Sequence, residues 1–384
     1  MRGAAVVVLL LALTGLASAA GSSQGERPVV VAGCEGVYYE RPERPQLLIV
    51  SDLPLEDSAH TAMLQMTQAI KLTLKDRGFR AGRYSVGYVV CDDSGPAATW
   101  GAKRCVRNAR AAVRNARVVG MIGTLDSGCA RVELPVLGAA KVVLVSPLNT
   151  APDLTRSHVA HVARLSAPDD AQADAAARFV RQQGARTVAV LSDGTRRGNL
   201  YRSAFASAAG RLGLQSVTRG RADAAYLGGV LSERTRADLR AARRRAPAGP
   251  LVLSEGYGPA AQLADETGGQ AEGAYLAVAG LPVERLPDEG RRFVTRFETA
   301  IGRSPHPYAV YAAQAARILF DAVAVSNRSR DSVARAVLGT KVRRDLIGPI
   351  SFDENGDPTR PPVTIFRVHD RAAQIVRVID SGLP

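Results

Sequence analysis

The stretch "QLLIVSDLPLEDSAHTAMLQMTQAIKLTLKDRG", Gln46 to Gly78, sets a short apolar run against a longer segment of helical period that stops at a glycine. A buried strand followed by a helix with Gly78 as its stop is a βα unit. The same texture recurs in "YSVGYVVCD", a helix around "AAVRNA", "VVGMIGT", a helix over "ARVELPVLGAA", and "KVVLVSP". That is four βα repeats in one lobe, and strands alternating with helices predict a largely parallel sheet.

A second series supplies a second sheet: the helix "DDAQADAAARFVRQQG", the strand "TVAVLSD", then "NLYRSAFASAAGRLG", "AAYLGG", an arginine-rich helix and "PLVLSEG". From Asp288 long helices follow, "EGRRFVTRFETAIG" and "PYAVYAAQAARILFDAVAVS", and then a short β-rich tail in which "ENGD" is a hairpin signal. No low-complexity linker separates the two series, so several short crossings should join them. The 384 residues, 46% hydrophobic and 22% charged, suit two globular domains.

The N-terminus has one basic residue, Arg2, an apolar run from Ala4 to about Ala17, and Ala17-Ser18-Ala19. This reads as a secretory signal peptide over residues 1–19, with an exported mature chain starting near Ala20. "VAGC", ending at Cys34, resembles a lipoprotein processing site, but "GSSQGERP" separates it from the apolar run, which argues against an anchor there. No later segment is apolar enough to read as a membrane helix.

Cys34, Cys91, Cys105 and Cys129 all fall in the first third of the chain. In an exported protein they read as two disulfides with three possible connectivities. Cys91 ends a strand and Cys105 lies in the next helix, which favours Cys91–Cys105 and leaves Cys34–Cys129. The absence of a Cys-x-x-Cys spacing argues against zinc and redox motifs.

The formal net charge of +14 in an exported chain points to an anionic envelope as neighbour and away from nucleic acid. The run "RTRADLRAARRR", Arg234 to Arg245, reads as a solvated helix face.

Catalytic signatures are missing: there is no Gly-x-Ser-x-Gly elbow, phosphate loop or His-Glu-x-x-His. His158 and His161 have no third ligand near them in sequence, so no metal site is expected. Asp92-Asp93 should cap the turn or helix that follows its strand. What remains are polar turns at strand carboxyl ends, "GTLDSGC", "SPLNTAP" and "SEGYG". In open α/β sheets such ends face the ligand crevice.

The order of these turns, together with "SDLPLEDSA", "YVVCDD", "AEGAYLA", "FETAIGRSPHPYAVYAAQAARIL" and "ISFDENGD", resembles the leucine/isoleucine/valine-binding proteins over about Gln46 to Val378. These are type I periplasmic binding proteins that feed ABC importers through a membrane permease. The resemblance implies two Rossmann-like lobes joined by a multi-strand hinge. Residues 45–160 plus 281–362 would form lobe one, and 161–280 plus 363–384 lobe two.

It also implies a ligand site. Ser127, with Leu148 and Thr150 and their backbone groups, would hold an α-carboxylate, and Glu255 would take an α-ammonium. Arg197 and Val230 stand on the second-lobe wall where the family commonly has aromatic residues, which loosens the inference to leucine and admits a more polar or anionic ligand. No cofactor is expected. Between "LQSVTRG" and "AAYLGG" few residues intervene, so the link should be a hairpin, or one of the runs is not a sheet strand. The leading function is a solute-binding protein that clamps an amino acid, of branched-chain type first. The alternatives are a sensor of the same fold for an amide or small metabolite, and, last, an enzyme.

Overall fold

The computed structural model describes residues 31–56, 60–95, 100–156 and 161–381; the expected signal peptide and His158 lie outside them. The first sheet is built from β1 (Leu47–Leu53), β2 (Arg80–Ala81), β3 (Tyr84–Asp92), β4 (Val118–Gly123), β5 (Val143–Ser146) and β6 (Val162–Arg164). Its order is β2-β3-β1-β4-β5-β6, with every pairing parallel except β2–β3. Helices α1 (His60–Asp76), α2 (Ala102–Arg114), α3 (Ser127–Ala139) and the short α4 (Asp153–Arg156) connect these strands. The four expected βα repeats are present. The sequence reading missed β2, two residues long, and β6, which carries first-sheet pairing past residue 160.

The second sheet has the order β15-β14-β11-β10-β9-β7-β8. Its strands are β7 (Thr187–Ser192), β8 (Gln215–Ser216), β9 (Ala224–Gly228), β10 (Leu251–Ser254), β11 (Tyr275–Ala279), β14 (Pro362–His369) and β15 (Ala372–Asp380). Helices α5 (Asp169–Gln182), α6 (Arg196–Arg211), α7 (Thr235–Arg245) and α8 (Ala260–Thr267) lie among them in sequence. The expected hairpin between β8 and β9 does not form. Both pair with β7 in parallel, on opposite sides of it. Because β8 is only two residues long, a short link carries the chain back past the end of β7 without a crossover helix.

After β11 the chain returns to the first lobe as α9 (Asp288–Ile301), α10 (Pro307–Val325) and α11 (Arg330–Leu338), followed by the small pair β12 (Lys341–Val342) and β13 (Ile350–Ser351). Among the described residues α10 is the helix long and apolar enough to cross a membrane, and 72% of its apolar window is buried. It packs on α1 and the first sheet in one core with Leu319, Phe320, Ile70 and Tyr88. "ENGD" forms a turn with Gly356 at φ +88°, flanked by the single bridge Phe352–Pro358 rather than by long strands.

Three crossings join the lobes side by side. The Arg164 N–H donates to the Gly356 carbonyl at 3.0 Å, and the Gly280 N–H donates to the Pro362 carbonyl at 2.8 Å. The multi-strand hinge expected from the resemblance is therefore present.

The disulfide pairing differs from the expectation: the bonds are Cys34–Cys91 and Cys105–Cys129, not Cys91–Cys105 and Cys34–Cys129. The segment before β1 runs antiparallel along β3, with the Glu35 N–H donating to the Val90 carbonyl and Tyr38 bridging Tyr88, which sets Cys34 beside Cys91. Helices α2 and α3 pack together, and Cys105 and Cys129 face each other from their first turns. A thioether anchor on Cys34 and the Cys34–Cys91 bond exclude each other, since both need the same sulfur.

Candidate functional site

The carboxyl ends of β4 and β5 make one half of the cleft. Asp126 caps α3 by accepting the Gly128 N–H at 2.5 Å, which leaves Ser127 as the first helical residue, at the cleft. The Ser127 hydroxyl accepts the Ala151 N–H at 3.3 Å, so the two polar turns read from the sequence are one surface. Asn149 stitches them further, its carboxamide donating to the Thr124 carbonyl at 3.1 Å and the Leu125 carbonyl at 3.3 Å. Leu148 is half-buried against the first-lobe core, and Thr150 is buried.

The sequence reading missed the residue that supports this turn from behind. Arg164, at the end of β6, is 1% exposed. Its guanidinium pairs with Asp357 at 2.5 Å and donates to the Ala151 carbonyl at 2.8 Å, the Asn149 carbonyl at 3.4 Å and the Thr155 hydroxyl at 2.5 Å. An arginine inside a short apolar strand gave no sign of its role, because its partners come from three other segments.

The second half comes from β7, β9 and β10. Asp193, just after β7, accepts from the Thr195 N–H and hydroxyl and from the Val230 N–H at 3.0 Å, fixing both wall loops at once. Gly198 and Gly228 allow the first turn of α6 to lie against the end of β9. A Cβ on Gly228 would sit 2.8 Å from the Gly198 carbonyl oxygen. Val230 packs against Gly256, next to Glu255 in the 3-10 turn that follows β10.

Charges converge between the halves. The Glu255 carboxyl accepts the Ala279 N–H at 3.4 Å, and the Thr150 and Gln172 side chains lie within hydrogen-bonding reach of it. Burial raises its pKa, while Arg197 and those hydrogen bonds oppose the rise. Asp169, first residue of α5, is 8% exposed, and its Oδ1 has no hydrogen-bond partner among the described residues. Burial first and the neighbouring Glu255 second push its carboxyl up to about 7, against Thr150, Arg197 and Arg164.

Arg197 turns toward this pair. Its Nε donates to the Tyr201 hydroxyl at 2.9 Å and its guanidinium lies 5.4 Å from the Tyr201 ring centroid. Burial works against its charge, but Tyr201, Asp169 and Glu255 outweigh it and hold the guanidinium protonated. Tyr308, near the start of α10, looks onto the same charges. Burial raises its hydroxyl to about 12, with Glu255 adding to the rise and Arg197 opposing it.

Of the six residues singled out in the sequence, Ser127, Leu148 and Thr150 lie on the turns after the first sheet and Arg197, Val230 and Glu255 on those after the second; Thr150, Arg197 and Glu255 are brought together, while Leu148 packs on the first-lobe core and Val230 against Gly256. Asp169, Gln172, Tyr201 and Tyr308 complete the group. The "DD" before an alanine-rich helix was a legible signal for Asp169. Two sheets, three crossings and polar turns that meet at the strand carboxyl ends decide the architecture. This is the type I periplasmic binding protein fold.

A family model described as "Periplasmic binding protein" matches residues 57–226. None of the curated proteins compared matches the sequence. Among solved structures, the chain is similar to a leucine binding protein LivK from Thermotoga maritima, with TM-score 0.71, 20% identity, and 87% of this chain and 99% of that one covered. It is also similar to an ABC transporter substrate-binding protein from Desulfitobacterium hafniense in complex with Leu, at TM-score 0.70, 19% identity and coverage of 86% and 99%. A solute binding protein from R. palustris in complex with 4-hydroxybenzoate gives TM-score 0.71, 15% identity and coverage of 88% and 98%. The resemblance read from the sequence is borne out.

Asp92 builds its turn as expected, accepting from the Leu55 and Ser94 N–H groups at 2.9 Å each and pairing with Arg104 at 2.6 Å. Asp93 lies beside Cys105 and Cys129, and Asp52 and Glu133 beside Cys129, but both sulfurs are spent in the disulfide.

Proposed function

We propose that the protein is the extracytoplasmic solute-binding component of an ABC importer, closing its lobes on a zwitterionic amino acid and presenting the closed form to a membrane permease. The observation that carries this reading is the buried Asp169–Glu255 carboxyl pair. Among the described residues Asp169 Oδ1 has no donor, and an unpaired buried carboxylate oxygen is costly unless a charged donor arrives. An α-ammonium would meet that need. The Ser127 hydroxyl, Thr150 and the backbone N–H groups at the start of α3 suit the α-carboxylate. With Arg197 and Val230 as its wall, the ligand's side chain would meet a mixed polar and aliphatic surface, and branched-chain amino acids head the candidates because similar folds bind leucine.

A second reading, an organic carboxylate without an ammonium, is favoured by Arg197 alone, a cation poised in the cleft, and is consistent with the 4-hydroxybenzoate bound by a similar fold. A thermal-shift screen separates the two. A ligand at one hundred times its Kd stabilises the folded protein by about 2.7 kcal/mol. Stabilisation by leucine, isoleucine or valine supports the first reading. Stabilisation by benzoates alone replaces it with the second, and turnover of any hit would displace both.

A further inference from the structure

Helix α2, with the sequence AKRCVRNARAAVR, contains no acidic residue, and it buries Cys105, Asn108, Ala109, Ala111 and Ala112 against the lobe. Lys103, Arg107, Arg110 and Arg114 are exposed, at spacings of four, three and four, which places them in one stripe down the outer face. Among the described residues none of these four forms an ion pair, whereas Arg211, Arg291, Arg292 and Arg335 on other helices all pair with carboxylates.

Among the described residues the arginines of α7 other than Arg244 have acceptors, Arg240 on the Gln270 carboxamide among them. Arg236, Arg243 and Arg245 donate to backbone carbonyls of neighbouring segments, as a structural role requires. On α2, by contrast, like charges three and four residues apart weaken the helix by a few tenths of a kcal/mol per pair with no partner to offset them.

We propose that this face of α2 docks the protein on the anionic phospholipid surface of the membrane that holds its permease. The stripe spans about 16 Å from Lys103 to Arg114 along the helix. Spread over that length, each of the four cations can meet a separate headgroup phosphate. Arginine suits that partner because its planar fork pairs bidentately with phosphate oxygens. The stripe edges an open surface cavity of about 570 Å³ lined by Ala102, Lys103, Val106, Arg107, Arg110 and Arg114, with no carboxylate among them to repel a phosphate. The choice of a membrane as the anionic surface rests on the importer reading; the charge pattern does not.

The test is vesicle co-sedimentation of the exported protein with phosphatidylglycerol-containing and purely phosphatidylcholine vesicles at low and high salt. Neutralising the stripe together (Lys103→Gln, Arg107→Gln, Arg110→Gln, Arg114→Gln) should lower partitioning onto the anionic vesicles at least tenfold, taking about 1 kcal/mol per surface cation. A matched variant neutralising Arg219, Arg221, Arg234 and Arg244, which are exposed in lobe two, should keep most of it. Loss of binding in high salt and the absence of binding to phosphatidylcholine complete the expected pattern. Equal losses in the two variants would mean that only net charge matters, and no loss in the α2 variant, or no binding by the parent, overturns the proposal outright. Thermal shift with the best ligand on the same variants reports the cleft separately, so a wrong importer reading and a wrong docking face give different results.

Discussion

Arg164 and Asp357 form a buried ion pair, 2.5 Å apart and both almost fully covered, that fastens the turn carrying Thr150 to the third crossing between the lobes. Removing one partner leaves a buried charge uncompensated and typically costs about 3–5 kcal/mol. Asp357→Asn should therefore lower the unfolding free energy by that order, measured by urea denaturation. Ligand affinity of the folded fraction should drop as well, because the Asn149 and Ala151 carbonyls are held by the same guanidinium. A variant with parental stability and affinity would show the pair to be dispensable.

The disulfides offer a second check. Peptide mapping of unreduced protein should find Cys34 linked to Cys91 and Cys105 to Cys129. In the chain-entropy account, losing the shorter loop of Cys105–Cys129 costs about 3 kcal/mol. The double variant Cys105→Ala, Cys129→Ala should melt earlier by an amount consistent with that. Because the bond ties α3 to α2 at its first turn, Ser127 would also loosen.

Those two features mark the boundary of what the sequence reveals. Local periodicity was enough for the βα units, because burial on both faces of a parallel strand writes a near-continuous apolar run, as in "LLIV" of β1. The polar turns that carry Ser127, Thr150 and Glu255 were legible because they directly follow such runs, while the ligand roles of these residues rest on the family resemblance. Pairings across the fold were not. Cys34 meets Cys91 only because the leading segment lies along β3, and Arg164 finds Asp357 only because the third crossing passes β6. Neither contact leaves a trace in spacing. The two-residue strand β8 is likewise below the length at which a period can be read.

Burial makes the apoprotein's stability depend on pH in an unusual sense. Asp52 and Asp169 are each pushed up to about 7, and Glu133 and Glu255 are raised too, by burial first in every case. In the unfolded chain these carboxyls titrate near about 4. The folded state thus holds protons that the unfolded state has released, so the stability from these groups is full below about pH 4 and is lost as pH rises through 7. Thermal melts should show the highest melting temperature on the acid side of neutrality, and Asp169→Asn should flatten the decline. A curve that rises steadily from pH 5 to 8 would contradict the raised values.

Glu255 gives the sharpest test of the ligand. If an ammonium sits between Glu255 and Asp169, it favours their charged forms, so binding expels the proton on Asp169. Affinity should then climb between about pH 5 and 7, and calorimetry in buffers of different ionisation enthalpy should report proton release. Glu255→Gln keeps the shape and removes the charge. Losing one member of a buried charged pair costs on the order of 2–5 kcal/mol, which lowers affinity roughly thirty-fold to several thousand-fold. Ser127→Ala removes one hydroxyl and frees the Ala151 N–H it accepts, for about 1–3 kcal/mol. The two losses should therefore differ, with Glu255 the larger. Should Glu255→Gln bind as tightly as the parent while Arg197→Gln does not, the charge that matters in the cleft is the cation. The ligand would then be a carboxylate without an ammonium, seated on Arg197 beside Tyr201.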